Sequence, residues 1–528
     1  MEIIVNTLSL TVKKAKTTIR VVDIVPKSER RRLMKTIVEA VEKKERPIKA
    51  IQFGEGNFLR AFIDYQIDVM NEKAGFNGDV IMVQPLERGM GDMINAQNGL
   101  YTTVLRGIED GKEVEEMRAV TSVRGCLNPF TQYEEYISQA DNPDLRFVFS
   151  NTTEAGIAYD PSVKKDDKPQ ASFPGKVTAF LYRRYTTFKG DRSKGLVFIP
   201  CELIDKNGIM LRKWVLKHAE DWCLEKDFID WINDSCDFCC SLVDRIVPGY
   251  PRAEAEAICN KLGYQDNLLD AAEKFLFWAI EYQKRSYEDE LPTGKAGLNV
   301  VWTPDMTFYR TRKVRILNGT HTMSVLAAYQ TGLNTVEECM KSELVSSFMH
   351  EGLFNEIIPS MDGDKDLLVS YAGDVLNRFK NPYIVHLLLS ISLNSTSKFK
   401  TRDLPSLLGY KEKTGKLPKV LVFSLASLIA FYEGTKIENG ALIGNRNGEE
   451  YKIMDSPDVL EKFASLYGKD YCCNGKKAAT IADEILGMEA WWGMDLRTVE
   501  GLQDAVKADL EAIWNKGMTT AMKELLEK

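Results

Sequence analysis

No stretch of the 528-residue sequence is long and apolar enough to span a bilayer. The longest uncharged apolar run lies between Lys419 and Glu433, short of the roughly 20 residues a transmembrane helix needs, and Val420 to Tyr432 is expected to be a buried helix. Excess positive charge is missing too: 69 Lys and Arg face 76 Asp and Glu, for a net charge of −7. With no basic stripe carrying interleaved aromatics, this argues against a general nucleic-acid binder. A small molecule is the expected partner, with neither nucleic acid nor membrane. A second cysteine pair with zinc-ribbon spacing is also lacking. Cys236, Cys239 and Cys240 form C-x-x-C-C, but a zinc ribbon requires another pair, and Cys259 alone does not supply it. Small apolar side chains on a strand is the plainer reading, and no metal is expected. No secretory leader is recognisable ahead of the ten cysteines, so reduced thiols in a cytoplasm are expected.

The length suits two large domains. Residues 1–33 stand apart, with eight Lys or Arg against three acids and no persistent amphipathic period. Glu29-Arg30-Arg31 can be encoded by a bacterial ribosome-binding site a short way upstream of Met34. A start at Met34 is therefore one reading of this leader, and a basic N-terminal arm is the other.

From Ile48, IKAIQFGEGNFLRAFIDYQIDVMNEKAG joins a short apolar run to a glycine pair and then to a helix with Phe58, Phe62, Tyr65 and Val69 in period. Gly54 and Gly56 supply two glycines of G-x-G-x-x-G, which allow a sharp turn and close approach of a pyrophosphate to a helix N-terminus. Leu59 occupies the third position, so a tight turn without a ligand stays open. Apolar strands at Val80 to Val83, Phe147 to Phe149 and Leu196 to Ile199 add the alternation expected of a parallel sheet. The expectation is an α/β, Rossmann-like dinucleotide-binding domain over 34–300, with Gly54, Gly56, Asn57 and Phe58 at the cofactor. No acid ends the second strand to take a ribose hydroxyl; Gln84 stands there and could still bond the ribose. NAD is favoured, and Arg88 keeps NADP open.

From about residue 301 the pattern turns mainly helical, with MSVLAAYQTG, NPYIVHLLLSISL and AVKADLEAIW as long periodic stretches. A helical C-terminal domain over 301–528, closing on the nucleotide fold, would place a site in the cleft between them. KVRILNGTH (Lys313 to His321) fits such a cleft. Asn318 and His321 are one helical turn apart, with Lys313 at or just before the helix start. A lysine crowded by Arg312, Arg315 and His321 should lose its proton more easily. Asn318 could bond an oxygen gaining negative charge. A surface lysine, a capping asparagine and a core histidine are the plain alternatives.

Three ordered motifs, G-x-G-x-F-x-R-A (Gly54 to Ala61), V-D-R-I-x-P (Val243 to Pro248) and K-x-x-x-x-N-x-x-H (Lys313 to His321), give the chain after Met34 its resemblance to the polyol-specific long-chain dehydrogenases, the mannitol dehydrogenase family. The resemblance implies metal-independent oxidoreduction with Lys313 as general acid/base and Asn318 and His321 polarising and placing the carbonyl. It also implies that Asn151 and Thr152 lie on the nicotinamide side. Asp244 would contact a substrate hydroxyl, or else form a salt bridge with a nearby basic residue.

QFGEGNFLRAF, SNTTEAGI, PCELID and ILNGTHT are closest to the family members that act on hexuronates. The implied substrate is a sugar acid: tagaturonate first, then its epimer fructuronate, with the neutral ketose fructose next and a catalytically silent nucleotide sensor as the reading from another class. Two departures bear on this. Leu203 replaces the second asparagine of the mannitol enzymes' oxyanion-binding pair, and Ser390 aligns with their substrate-binding arginine. Lys398 or Arg402, in NSTSKFKTR, is the expected receiver of a uronate carboxylate, with a solvated basic loop as the alternative.

Overall fold

The computed structural model describes residues 34–109, 111–153 and 155–527; the leader 1–33 lies outside the described residues. Strands β1 (Ile48–Phe53), β2 (Asp79–Val83), β3 (Tyr101–Glu109), β4 (Lys112–Val120), β5 (Val123–Leu127), β6 (Phe147–Ser150), β7 (Val197–Pro200) and β8 (Asp237–Phe238) lead the first half. Six of them form one parallel sheet in the order β5-β2-β1-β6-β7-β8. The order reverses direction between β1 and β6, which opens a crevice at their carboxyl ends. The chain carries the dinucleotide-binding sheet that its glycine pair announces.

Alternation along the strands explains the layering. Ala50, Phe147, Phe149, Val197 and Ile199 pack on one side, under the helical stretch 57–73. Ile51, Phe53, Val148 and Phe198 face the other, covered by helices Phe173–Thr187, Asn207–Asp221 and Lys226–Ser235. Both faces are buried, as a parallel sheet requires. The thiols of the C-x-x-C-C cluster sit in this apolar packing, where burial pushes Cys236 up to about 11.

Strands β9 (Cys240–Asp244), β10 (Asp270–Glu273), β11 (Phe277–Glu281) and β12 (Val300–Thr303) form two small mixed sheets, β10-β3-β4 and β12-β11-β9. Their ends deliver Asp244 and Glu273 toward the second half. That half is largely helical around a core running from Ile316 to Leu525, with one antiparallel meander, β13 (Lys436–Glu438), β14 (Ala441–Arg446) and β15 (Glu449–Ile453). The apolar run at Val420 is the helix Lys419–Phe431, buried on all sides. Among the described residues no helix is long and apolar enough to cross a membrane.

One periodic stretch departs from its helical expectation. In NPYIVHLLLSISL only Leu388–Ile391 is helical. Pro382 withholds an N–H and disfavours helix at Asn381. The chain then runs extended, with Val336 N donating to His386 O at 3.0 Å and Leu388 N donating to Asn334 O at 2.9 Å.

Glu356 anchors the central helix by accepting Val420 N at 2.8 Å and Leu421 N at 2.9 Å. Burial dominates over these bonds and pushes its carboxyl from 4.5 up to about 7. A raised folded-state value means that ionisation opposes folding. The Glu356 contribution is full below pH 4.5 and is lost as the pH climbs toward about 7. Thermal unfolding of a Glu356→Gln variant should lack this component, its midpoint falling less than the wild type's across that interval.

Candidate active site

The crevice is built from the end of β1. Gly54 takes φ +120°, and a Cβ there would stand 3.1 Å from Asn151 O and 3.2 Å from Leu59 Cδ1. Gln52 fixes the turn by donating to Gly54 O at 3.0 Å. Gly56 is exposed, with open space where a Cβ would project. Behind it the first N–H groups of the stretch 57–73 are free for an anion. Asn57 accepts Arg60 Nη2 at 2.6 Å, and Phe58 reaches the neighbouring cavity. This turn at the sheet's reversal point, open at Gly56 and with the Glu55 carboxylate drawn aside to Met90 N at 3.2 Å, fits a dinucleotide's pyrophosphate.

Two of the expected cofactor residues are engaged in contacts of their own. Gln84 is buried, with its amide donating to Leu86 O at 2.8 Å and Glu87 O at 2.9 Å while Gly91 N donates to its oxygen at 3.1 Å. Its donors hold the loop that follows β2. The Thr152 hydroxyl and N–H both donate to buried Glu202, at 3.0 and 2.9 Å. Asn151 and Thr153 line the cavity in its place.

That cavity, about 420 Å³, lies between the two halves and gathers Lys313, Asn318 and His321 with Asp244. Its far wall is one continuous helical stretch: Thr307–Arg312, Lys313–Asn318 and Gly319–Gln330. Lys313 therefore sits inside a helix, not at its start. The middle segment is π-helical, wound one residue wider per turn. At α-helical winding, Lys313 and Asn318 would point roughly 140° apart. The wider turn brings both onto the cavity.

The expected crowding of Lys313 by cations is not what the fold builds. Arg312 stacks on Phe277 and Tyr371, at 4.6 and 4.2 Å from the ring centroids, and Arg315 donates to Ser406 and Ser360. Lys313 Nζ instead donates to Val243 O at 2.8 Å and lies 3.6 Å from Asp244 Oδ1. Of the two roles weighed for Asp244, the salt bridge is the one seen. Arg378 donates to both its oxygens at 3.0 and 3.1 Å, and Tyr371 Oη donates at 2.7 Å. Burial alone would push the Asp244 carboxyl up, but Lys313 and Arg378 outweigh it and hold the group below its ordinary range. Arg378 also binds Glu273, at 2.8 and 2.9 Å. Two buried carboxylates and two cations make a neutral quartet.

His321 is buried, stacked on Phe379 at 4.1 Å, and its Nε2 has no hydrogen-bond partner among the described residues. Burial first, then His386, Arg378, Arg402 and Lys398, hold its pKa well below 6.5. It is a neutral ring with an unused polar atom at a cavity. Asn318 makes no side-chain hydrogen bond to any described residue and lines the same wall.

Lys398 and Arg402 do not line the cavity. Lys398 Nζ donates to Ile391 O at 2.7 Å and Arg402 Nη1 to Thr322 Oγ1 at 3.2 Å. Leu203 does line it, 67% exposed, while Ser390 is turned to its own loop, donating to Leu387 O. Sequence reasoning missed Arg378, Tyr371, Glu273 and His386. Arg378 ends a helix, where a basic residue ordinarily complements the dipole, so nothing local marks it as buried. The acids of DAAE, flanked by apolar residues, were the available signal for Glu273.

Replacing Arg378 with Gln should leave two buried carboxylates short of a counter-charge and lower stability by about 3–5 kcal/mol at neutral pH. Because the folded-state value of Asp244 is depressed, its contribution is present above its ordinary 3.8 and is lost as pH falls below that. The deficit of the variant, measured by chemical denaturation, should therefore shrink in acid.

The first half matches the model of the mannitol dehydrogenase Rossmann domain over residues 48–292, and the second that of the mannitol dehydrogenase C-terminal domain over residues 305–514. An altronate oxidoreductase of Phocaeicola vulgatus is 44% identical over 488 residues, covering 92% of this chain and 99% of that one. One from an Enterobacter species is 46% identical over 482 residues, covering 91% and 97%. Among solved structures, a D-sorbitol dehydrogenase in substrate-free form aligns with a TM-score of 0.74 at 21% identity, covering 90% of this chain and 95% of that one. Mannitol 2-dehydrogenase of Pseudomonas fluorescens, a ternary complex with NAD and D-mannitol, aligns with a TM-score of 0.62 at 22% identity, covering 92% and 95%. The glycine turn, the interdomain lysine site and both halves in order thus have one common explanation: the chain belongs to the mannitol dehydrogenase family.

Proposed function

We propose that the chain interconverts D-tagaturonate and D-altronate with NAD(H), using Lys313 as general acid and base. Its support is the placement of an ammonium, an unbonded asparagine amide and a neutral histidine on one interdomain cavity beside a dinucleotide turn. The similarity to altronate oxidoreductases supplies the substrate.

Bound at the Gly54–Gly56 turn, NADH would supply the hydride. As the ketone carbon accepts it, the carbonyl oxygen gains negative charge. The Lys313 ammonium then transfers a proton to that oxygen, giving the alcohol and a neutral amine. In the reverse direction the amine takes the hydroxyl proton. Asn318 donates to the oxygen as its charge grows, in a site where such a bond is worth more than in water. His321, kept neutral, has one N–H and one acceptor to hold a substrate hydroxyl. Asp244 fixes the lysine through the pair at 3.6 Å, and Arg378 keeps Asp244 charged. No step calls on a metal.

Lys313→Ala should lower kcat for tagaturonate reduction by about 10²–10⁴, the range for loss of a general acid, while NADH still binds by fluorescence titration. NADH oxidation with D-tagaturonate, D-fructuronate and D-fructose side by side should favour tagaturonate. A preference for fructose would replace the sugar-acid assignment.

A further inference from the structure

Reduction of a keto-hexuronate leaves a carboxylate at the end of the sugar chain remote from the ketone. With the ketone at Lys313 and Asn318, that anion must meet the cavity wall away from the nucleotide turn. A carboxylate in a partly buried cleft needs a cationic or donating partner there. The lining supplies five basic side chains: Arg245, Lys313, His321, Arg378 and His386.

Four are committed. Arg245 donates to Glu273 O at 2.9 Å and Ala61 O at 2.8 Å and lies over the Tyr65 ring. Arg378 spends four of its five N–H donors on Asp244 and Glu273, whose two carboxylates already match its charge. Lys313 serves the reacting oxygen, and His321 is packed beside it, flat on Phe379. Lys398 and Arg402, the two cations favoured by sequence for this task, lie behind the wall. His386 remains. Its ring stands edge-on to His321 at 5.2 Å between centroids, and its side chain makes no hydrogen bond to any described residue. It reaches the cavity because Pro382 ends helix formation and the extended segment turns its carbonyl to Val336 N.

We propose that His386 receives the remote carboxylate of the substrate and sets the preference for acids over neutral ketoses. This rests on the sugar-acid reading above and goes beyond it in naming the residue. His321 faces the ring from the helix Gly319–Gln330 and Lys398 acts on it from the helix Ser395–Arg402. Arg378, at the end of Lys365–Phe379, and Asp244 share the cavity wall with it. Of these only Asp244 is negative, and Arg378 and Lys313 take up its charge. Burial and then Lys398 keep the His386 pKa below 6.5 in the free protein. A carboxylate brought beside it reverses that balance, so acid substrates bind with uptake of one proton. Lys398, a step behind, adds long-range attraction without contact.

The test is steady-state kinetics of the full chain with saturating NADH, on D-tagaturonate and on D-fructose, from about pH 6 to about pH 9, where a histidine's charge responds. For the wild type, KM for tagaturonate should rise with pH and KM for fructose should stay flat. His386→Gln should raise the tagaturonate KM at low pH by about tenfold or more, the worth of a hydrogen bond to a charged group. It should also flatten the pH dependence and leave KM for fructose and NADH affinity unchanged. His386→Arg, permanently charged, should restore the low KM at every pH. An unchanged tagaturonate KM in His386→Gln, or an equal rise for both ketoses, overturns the assignment while wild-type turnover of tagaturonate leaves the sugar-acid reading standing. Absence of tagaturonate turnover in the wild type overturns both.

Discussion

The guanidinium of Arg378 holds the active site together. It comes from the helical half, and both carboxylates that it binds come from strand ends of the nucleotide half, Asp244 on β9 and Glu273 on β10. One side chain therefore joins the domains and sets the charge next to Lys313. Burying four ionised groups costs a great deal unless each is paired and bonded. Here the count of charges is balanced, and Tyr371 Oη and Ile246 N occupy further lone pairs. Lys313 is the quartet's only member with appreciable exposure, at 18% against 4% or less for the others.

The nucleotide half was legible because its function is written in short, local constraints. A positive-φ glycine cannot be replaced by a side chain at Gly54, and the apolar runs at Val80, Phe147 and Leu196 lie within a residue of the strands found. That Lys313, Asn318 and His321 would share one cavity was legible for a similar reason: they lie close in sequence on one stretch of helix. Their geometry was not. A π turn has no composition of its own, so a lysine five residues from its asparagine reads as pointing elsewhere, and the helix start is misplaced by six residues.

Partners distant in sequence were not legible at all. Arg378 lies 134 residues from Asp244 and 105 from Glu273, and nothing in its own helix separates a buried arginine from a solvated one. Gln84 shows the opposite case, a local contact that its position does not announce. Its position at a strand end suggested a ribose, whereas its amide is used in closing the loop that follows. The carboxylate receiver was sought among fixed cations, in NSTSKFKTR. Non-helical backbone at Asn381–Leu387, a turn followed by an irregular run, was read as helix from its apolar spacing and hid the histidine that lines the cavity.

The burial of the quartet also divides how the protein answers to ionic strength. Mobile ions screen exposed charges over about 8 Å at physiological salt but cannot enter between groups sealed from solvent. The pairing of Arg378 with Asp244 and Glu273 is therefore insensitive to added salt, while the pull of the more exposed Lys313 on an anion approaching the open rim of the cavity is screened. Salt will weaken capture of an anionic ligand there and leave the junction between the two halves intact.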